Sequence, residues 1–270
     1  MNPNSNKNFD LPIIPIVDSF GRKHRSLRIS VTDRCNIRCF YCMPENVKFL
    51  PQDSILSFEE IHRIAGILAR QGVSRVRLTG GEPLVRSQLW NLVELLKSVR
   101  GIEEVALTTN GILLSDQAEK LKASGLDRIN VSLDSIDRDK FKEITRRDAL
   151  DKVLAGIDAA ISAGFENIRI NAVSVNGISE TEVVPLVTWA QQQGLHLRFI
   201  EFVPLDGDQA WQNQQVFTGV MLREIIEKKF GSLTPVYRER SSQPATDFQL
   251  SEVGPLIGFI DSVTEPFCQA

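Results

Sequence analysis

Leu27-Arg28-Ile29-Ser30-Val31-Thr32-Asp33-Arg34-Cys35-Asn36-Ile37-Arg38-Cys39-Phe40-Tyr41-Cys42 runs a short strand straight into a loop carrying three cysteines. Successive strand side chains point to opposite faces, so Leu27, Ile29 and Val31 share one side and Arg28, Ser30 and Thr32 the other. The same split recurs in Arg75-Val76-Arg77-Leu78-Thr79, where two arginines oppose Val76 and Leu78. It recurs again where Ile168 and Ile170 oppose Arg169 and Asn171, and where Leu197 and Phe199 oppose Arg198. Outward from these segments, strands are predicted at 27–32, 75–79, 104–109, 128–134, 167–173 and 196–202. Amphipathic stretches alternate with them, the pattern of repeated βα units around a mostly parallel sheet. The first helix starts at a capping box, Ser57 with Glu60, carries an apolar stripe of Ile61, Ile64, Ala65 and Leu68, and ends by Gly72. Further helices are predicted at 88–99, 116–124, 149–163 and 180–193, with Gly125, Gly164 and Gly194 at the ends of the last three.

Helices covering the apolar faces from outside leave the arginines pointing inward. A closed eight-stranded barrel fills its interior with Val, Ile and Leu. Six strands with a basic, hydroxylated interior predict instead an α/β fold built as an open partial (β/α)6 TIM-like barrel enclosing a polyanion. Arg28, Arg75, Arg77, Arg169 and Arg198 come from four separate strands, so their guanidinium groups can surround one anion. No G-x-x-x-x-G-K-[ST] phosphate loop is present. Beyond 202 the rhythm breaks into a polar loop at 204–215, a helix at 221–230 and short strands at 235–238, 247–250 and 256–260. The organisation expected is an N-terminal extension (1–24), the barrel (25–203) and a short irregular C-terminal extension (204–270).

The 270 residues are 42% hydrophobic and 24% charged, with a net charge of −3, which excludes disorder and gives no overall electrostatic drive toward nucleic acid or acidic membranes. No apolar run reaches bilayer-spanning length, and the polar start at 1–10 lacks the apolar segment of a secretory signal, so a cytoplasmic protein is expected.

The cysteines are spaced C-x3-C-x2-C, with a fourth, Cys268, third from the end. Structural zinc takes four protein ligands, and no second cysteine pair or nearby histidine accompanies the three. Three thiolates in one short loop suit a [4Fe-4S] cluster whose fourth iron stays open to an exogenous ligand. Incidental buried cysteines, or a zinc loop borrowing a distant ligand, are the bland alternatives.

C-x3-C-x-Tyr-C after the first strand of a partial barrel resembles the radical S-adenosylmethionine (SAM) superfamily. Thr79-Gly80-Gly81-Glu82-Pro83 at the end of the second strand resembles its GGEP segment, which binds the amino group of SAM. Across most of the chain the closer resemblance is to the molybdenum-cofactor biosynthesis protein A (GTP 3′,8-cyclase) family. It rests on residues 27–36, 77–84, Leu107-Thr108-Thr109-Asn110-Gly111, Asn130-Val131-Ser132-Leu133-Asp134 and Arg198-Phe199-Ile200-Glu201-Phe202.

The resemblance implies that Cys35, Cys39 and Cys42 hold the cluster and that Tyr41, Gly80, Gly81, Glu82, Ser132 and Val203 contact SAM. It implies that Arg28, Arg75, Arg77, Thr108, Arg169 and Arg198 bind GTP, with Arg28, Arg77 and Arg198 serving catalysis. It further implies a reductant such as flavodoxin or ferredoxin, cyclic pyranopterin monophosphate synthase as the next enzyme, and room for a homodimer. The family carries a second [4Fe-4S] cluster on C-x2-C-x13-C, of which only Cys268 matches, so the chain reads as truncated before that motif, with doubtful cyclase activity. One thiolate cannot hold a cluster, and Cys268 reads as an unpaired terminal thiol. A homologue that binds SAM and a nucleotide without cyclising it, or a non-catalytic metal-binding module, stays open beside the enzyme reading.

Overall fold

The computed structural model describes residues 15–203, 211, 213–237, 244–251 and 254–265. Nine strands form one sheet: β1 (Ser26–Ser30), β2 (Arg75–Thr79), β3 (Glu104–Thr109), β4 (Arg128–Ser132), β5 (Ile168–Ser174), β6 (His196–Glu201), β7 (Thr234–Pro235), β8 (Thr246–Gln249) and β9 (Ile257–Ile260). Their spatial order is β1-β2-β3-β4-β5-β6-β9-β8-β7. The first six are parallel neighbours in sequence order, and β1 and β7 lie at opposite edges, so the sheet is open. The C-terminal extension does not stand apart. Strand β9 adds in parallel to β6, and β8 and β7 follow it antiparallel.

The helices are α1 (Phe58–Ala69), α2 (Leu89–Lys97), α3 (Ala118–Ala123), α4 (Arg138–Thr145), α5 (Leu150–Ser162), α6 (Val183–Gln192) and α7 (Gly219–Phe230). The capping box forms as expected: the Ser57 hydroxyl accepts from the Glu60 N–H at 3.1 Å while the Glu60 carboxylate accepts from the Ser57 N–H at 2.7 Å. The stripe behind it is narrower than the sequence suggested. Ile61, Ala65 and Ala69 are buried, whereas Ile64 is 37% exposed, because only one i, i+4 row of a single helix meets the sheet. Helix α4 was absent from the sequence reading. Asp137 caps it by accepting from the Lys140 N–H at 2.9 Å, and only Phe141, Ile144 and Thr145 are buried along it.

Strand alternation divides the molecule as the residue pattern requires. Val76, Leu78, Val105, Leu107, Ile129, Val131, Ile168, Ile170, Leu197 and Phe199 are all buried against the helices. Each such side chain contributes about 1.5–3 kcal/mol through removal from water, so this outer layer dominates the stability of the fold. The opposite face lines a lumen whose side chains are largely polar. Among the described residues no helix is long and apolar enough to cross a membrane.

Candidate functional site

The cysteine loop leaves the C-terminal end of β1 and is fastened on three sides. From below, the Gly81 N–H donates to the Thr32 carbonyl and the Glu82 N–H to the Arg34 carbonyl, both at 2.7 Å. A Cβ on Gly80 would strike the Thr32 carbonyl oxygen, and one on Gly81 the Arg34 carbonyl. The two glycines are therefore required by backbone-to-backbone docking of the two loops. From the side, the Arg38 N–H donates to the Thr145 carbonyl and the Phe40 N–H to the Ile144 carbonyl, at 2.9 and 3.1 Å. The loop thus satisfies open carbonyls at the C-terminus of α4. From above, the Tyr41 hydroxyl donates to Asp134 at 2.7 Å, and the other Asp134 oxygen accepts from the Val173 N–H at 2.8 Å. Burial pushes the Asp134 carboxyl up to about 6, against the pull of those two hydrogen bonds.

Glu82 is held within the protein as well. Its side chain is 1% exposed, and its carboxylate accepts from the Leu84 N–H, the Thr109 hydroxyl and the Asn110 N–H at 2.9, 2.7 and 2.6 Å. Three protein donors take three of its roughly four acceptor positions, which leaves one for a further donor. Its place is that of a clip tying the β2 loop to the end of β3. Asn110, which the sequence reading quoted but gave no role, is the further member of this site. Its Nδ2 donates to Asn36 Oδ1 at 2.7 Å and lies 3.8 Å from the Cys35 sulfur.

Cys39 is buried, Cys35 half-buried and Cys42 exposed. The hydrogen bond that Cys39 makes to Cys42, reinforced by burial, raises the Cys39 thiol, and the same bond lowers Cys42. Burial raises Cys35. Among the described residues no three ligands are already drawn into a metal shell. The donor set nevertheless fits an iron–sulfur cluster: three sulfurs on one loop, no competing fourth ligand, and buried thiols that need a local positive charge to ionise. Ser132, Tyr41, Gly81 and Val203 lie at or just beyond the C-terminal ends of β4, β1, β2 and β6, on the rim that this loop borders. Phe202 packs edge-on against Tyr41, with ring centroids 6.2 Å apart. Cys268 lies outside the described residues.

Below the rim, the lumen is basic. Register places Arg28 beside Arg77, Asn130 beside Arg169, and Asn171 beside Arg198. The Arg77 guanidinium donates to Thr108 at 3.4 Å. Burial, with the charges of Arg128 and Arg28 added to it, lowers Arg77 to about 10. Burial and the charges of Arg198 and Arg128 lower Arg169 to about 10 as well. Guanidinium groups that depress one another in this way form one positive cluster. Arg128 belongs to it and was missed, although its parity on β4 matches that of the other arginines. It pairs with Glu104 at 2.6 Å, and its Nε is buried without a partner. Arg198 is held 3.4 Å from Asp247 of β8. Gly258 between them leaves the room, since a Cβ there would come within 2.5 Å of Asp247. Arg75 sits lower than the others, at the N-terminal mouth, where it lines a cavity of about 330 Å³ with Arg25, Ser74, Glu103, Glu104 and Asp127.

A family model for the Radical SAM superfamily matches residues 29–190, and one for Molybdenum Cofactor Synthesis C matches residues 195–270. A relative from Rhodopirellula baltica named GTP 3′,8-cyclase is 51% identical over 259 residues, covering 94% of this chain and 72% of the relative. One of the same name from Paenarthrobacter nicotinovorans is 43% identical, covering 94% and 75%. Among solved structures, Streptococcus suis SuiB bound to S-adenosylmethionine superposes with a TM-score of 0.63 at 20% identity, covering 76% of this chain and 46% of that one, which shows a shared fold. The chain therefore belongs to the radical SAM superfamily and, within it, to the GTP 3′,8-cyclase family.

Proposed function

We propose that the chain converts GTP to (8S)-3′,8-cyclo-7,8-dihydroguanosine 5′-triphosphate in molybdenum cofactor biosynthesis. The observation that carries this reading is the stacking of two chemistries along one lumen, with three thiols at the rim and a guanidinium cluster beneath them. Cys35, Cys39 and Cys42 would hold a [4Fe-4S] cluster, and Tyr41, Gly81, Ser132 and Val203 would contact SAM. When bound, the cluster and SAM supply a 5′-deoxyadenosyl radical able to take a ribose hydrogen.

The work of the protein is to bind and aim. Arg28, Arg77, Arg169 and Arg198 receive the triphosphate, and Thr108 supplies a hydroxyl beside Arg77. Arginines lowered only to about 10 remain charged at neutral pH, so a polyanion relieves their mutual repulsion as it binds. Fixing the phosphates from separate strands orients the sugar relative to the rim, the largest contribution that positioning can make to such a reaction. A reductant such as flavodoxin or ferredoxin serves the rim, and the product passes to cyclic pyranopterin monophosphate synthase.

Anaerobic reconstitution tests it. Roughly four iron and four sulfide per chain, reductive release of 5′-deoxyadenosine and conversion of GTP to the cyclic nucleotide are expected. Zinc without sulfide would replace this reading with that of a metal-binding module, and 5′-deoxyadenosine without nucleotide conversion would confine it to SAM cleavage.

A further inference from the structure

The lumen faces of β4 and β5 carry two amide side chains that the proposed chemistry leaves unused. Asn130 is 4% exposed on the lumen face of β4, and its Oδ1 is buried without a hydrogen-bond partner. Asn171 on β5 has the same orphaned Oδ1. Register sets Asn130 beside Arg169 and Thr108, and Asn171 beside Ser132 and Arg198. Along β4, Asn130 stands two residues above Arg128 and two below Ser132, about 6–7 Å from each level. Asn130 thus stands level with Arg169, and Asn171 stands level with Ser132 and Arg198, so the pair runs diagonally from the arginines up to the SAM-facing rim.

A buried carbonyl-type oxygen left unpaired costs about 1–3 kcal/mol, and two on neighbouring strands call for donors that the protein does not provide. Phosphate oxygens are acceptors and would repel them. The groups of a nucleoside triphosphate that can donate are the ribose hydroxyls and the base N–H groups. With the phosphates on the arginines, the sugar is the next moiety along the molecule, and it must face the rim for its carbon to be attacked. We infer that Asn130 and Asn171 bind the ribose hydroxyls of the nucleotide and so select ribonucleotides and fix the sugar beneath the rim. This rests on the GTP reading given above and adds the part of the substrate that these two residues recognise. Rotating either amide exchanges acceptor for donor, and a hydroxyl can meet both.

Equilibrium binding to the reconstituted, SAM-loaded full chain tests the inference with four probes: GTP, 2′-deoxy-GTP, 3′-deoxy-GTP and inosine triphosphate. The wild type is expected to bind at least one deoxy analogue about tenfold more weakly than GTP, the scale of one lost buried hydrogen bond. In Asn130→Leu and Asn171→Ala the affinity for GTP should fall to that of the deoxy analogue while affinity for the analogue stays at the wild-type value. Unchanged analogue binding also certifies that each variant is folded. Variants that keep the full deoxy penalty, that lose discrimination against inosine triphosphate instead, or that weaken all four probes equally would overturn the assignment. GTP bound normally by the wild type with no deoxy penalty would sink this inference alone, whereas no GTP binding at all would sink the GTP reading with it.

Discussion

The two ends of the lumen are built on opposite principles. At the cysteine end the buried carboxylates and the backbone are tied down within the chain: Glu82 takes three donors, Asp134 two, and the loop backbone is docked on the β2 loop and on the end of α4, with one orphaned atom each on Asp33 and Arg38. At the arginine end like charges crowd together and lower one another, and Arg128, Asn130 and Asn171 each keep an orphaned atom. Docked backbone and paired carboxylates hold a shape before any ligand arrives, whereas crowded like charges are relieved by one of opposite sign. The rim is thus a preorganised frame and the storeys below it a site, and substitutions at the two ends should fail in different ways.

The largest effect is expected at the rim itself. Replacing Cys39 with Ala removes one of three sulfurs and should abolish iron and sulfide retention, and with it all 5′-deoxyadenosine formation. Binding of inorganic tripolyphosphate, measured calorimetrically, should be unchanged, since the arginines stand on the strands and not on the cysteine loop. Coupled loss of both would show that the two ends are one cooperative unit and break the contrast.

Next comes the charge cluster. Arg77→Ala should weaken tripolyphosphate binding about a hundredfold, as expected for loss of a buried charge-assisted contact, and should flatten its salt dependence. The same variant should melt no lower than the wild type without ligand, because removing one of several mutually repelling charges relieves the fold. A large drop in melting temperature would mean that Arg77 is structural and that the cluster is not waiting for an anion.

Glu82→Gln sharpens the contrast from the other side. The amide turns one acceptor oxygen into a donor facing N–H and O–H donors, which should cost about 2 kcal/mol of stability and loosen the cluster. The expected readout is a lower melting temperature and faster iron loss to a chelator with tripolyphosphate affinity intact. An unaltered melting curve would show that the clip carries no strain and would return Glu82 to direct contact with SAM.

How much of this was legible follows from the range of each interaction. The lumen arginines could be read because strand parity is a period of two, visible within five residues, and Arg128 obeys the same rule on β4. The capping box at Ser57 is equally local. Helix α4 escaped notice because Arg138–Thr145 is mostly charged and buries only Phe141, Ile144 and Thr145, so its apolar period is too short to register beside Asp137. Two of the three partners of Glu82 lie 27 and 28 residues away, and Asp247 reaches Arg198 across 49 residues and two strand registers. No local pattern encodes such pairings, so the motif could be read while these neighbours could not.

The smallest effect concerns the seam where the C-terminal strands join the barrel, and it turns on His196. Its Nδ1 accepts from the Leu256 N–H at 2.9 Å, which fixes the neutral imidazole and ties the entry of β9 to β6. Burial, then the charge of Arg169 and, more weakly, that of Arg198, lowers the imidazole below its ordinary 6.5, with Asp247 opposing. A depressed folded value means that the unfolded chain binds the extra proton first. Stability is therefore constant above about 6.5 and declines as pH falls through the window below it. The decline should amount to no more than about 1 kcal/mol, the worth of one hydrogen bond, and should vanish in His196→Gln, whose amide oxygen can accept the same N–H without titrating. Tripolyphosphate at saturation should shrink the decline in the wild type, since neutralising Arg169 and Arg198 removes part of what depresses the histidine. If the pH profile ignores the polyanion, the seam and the charge cluster are independent, and the frustration of the lower storeys ends short of β6.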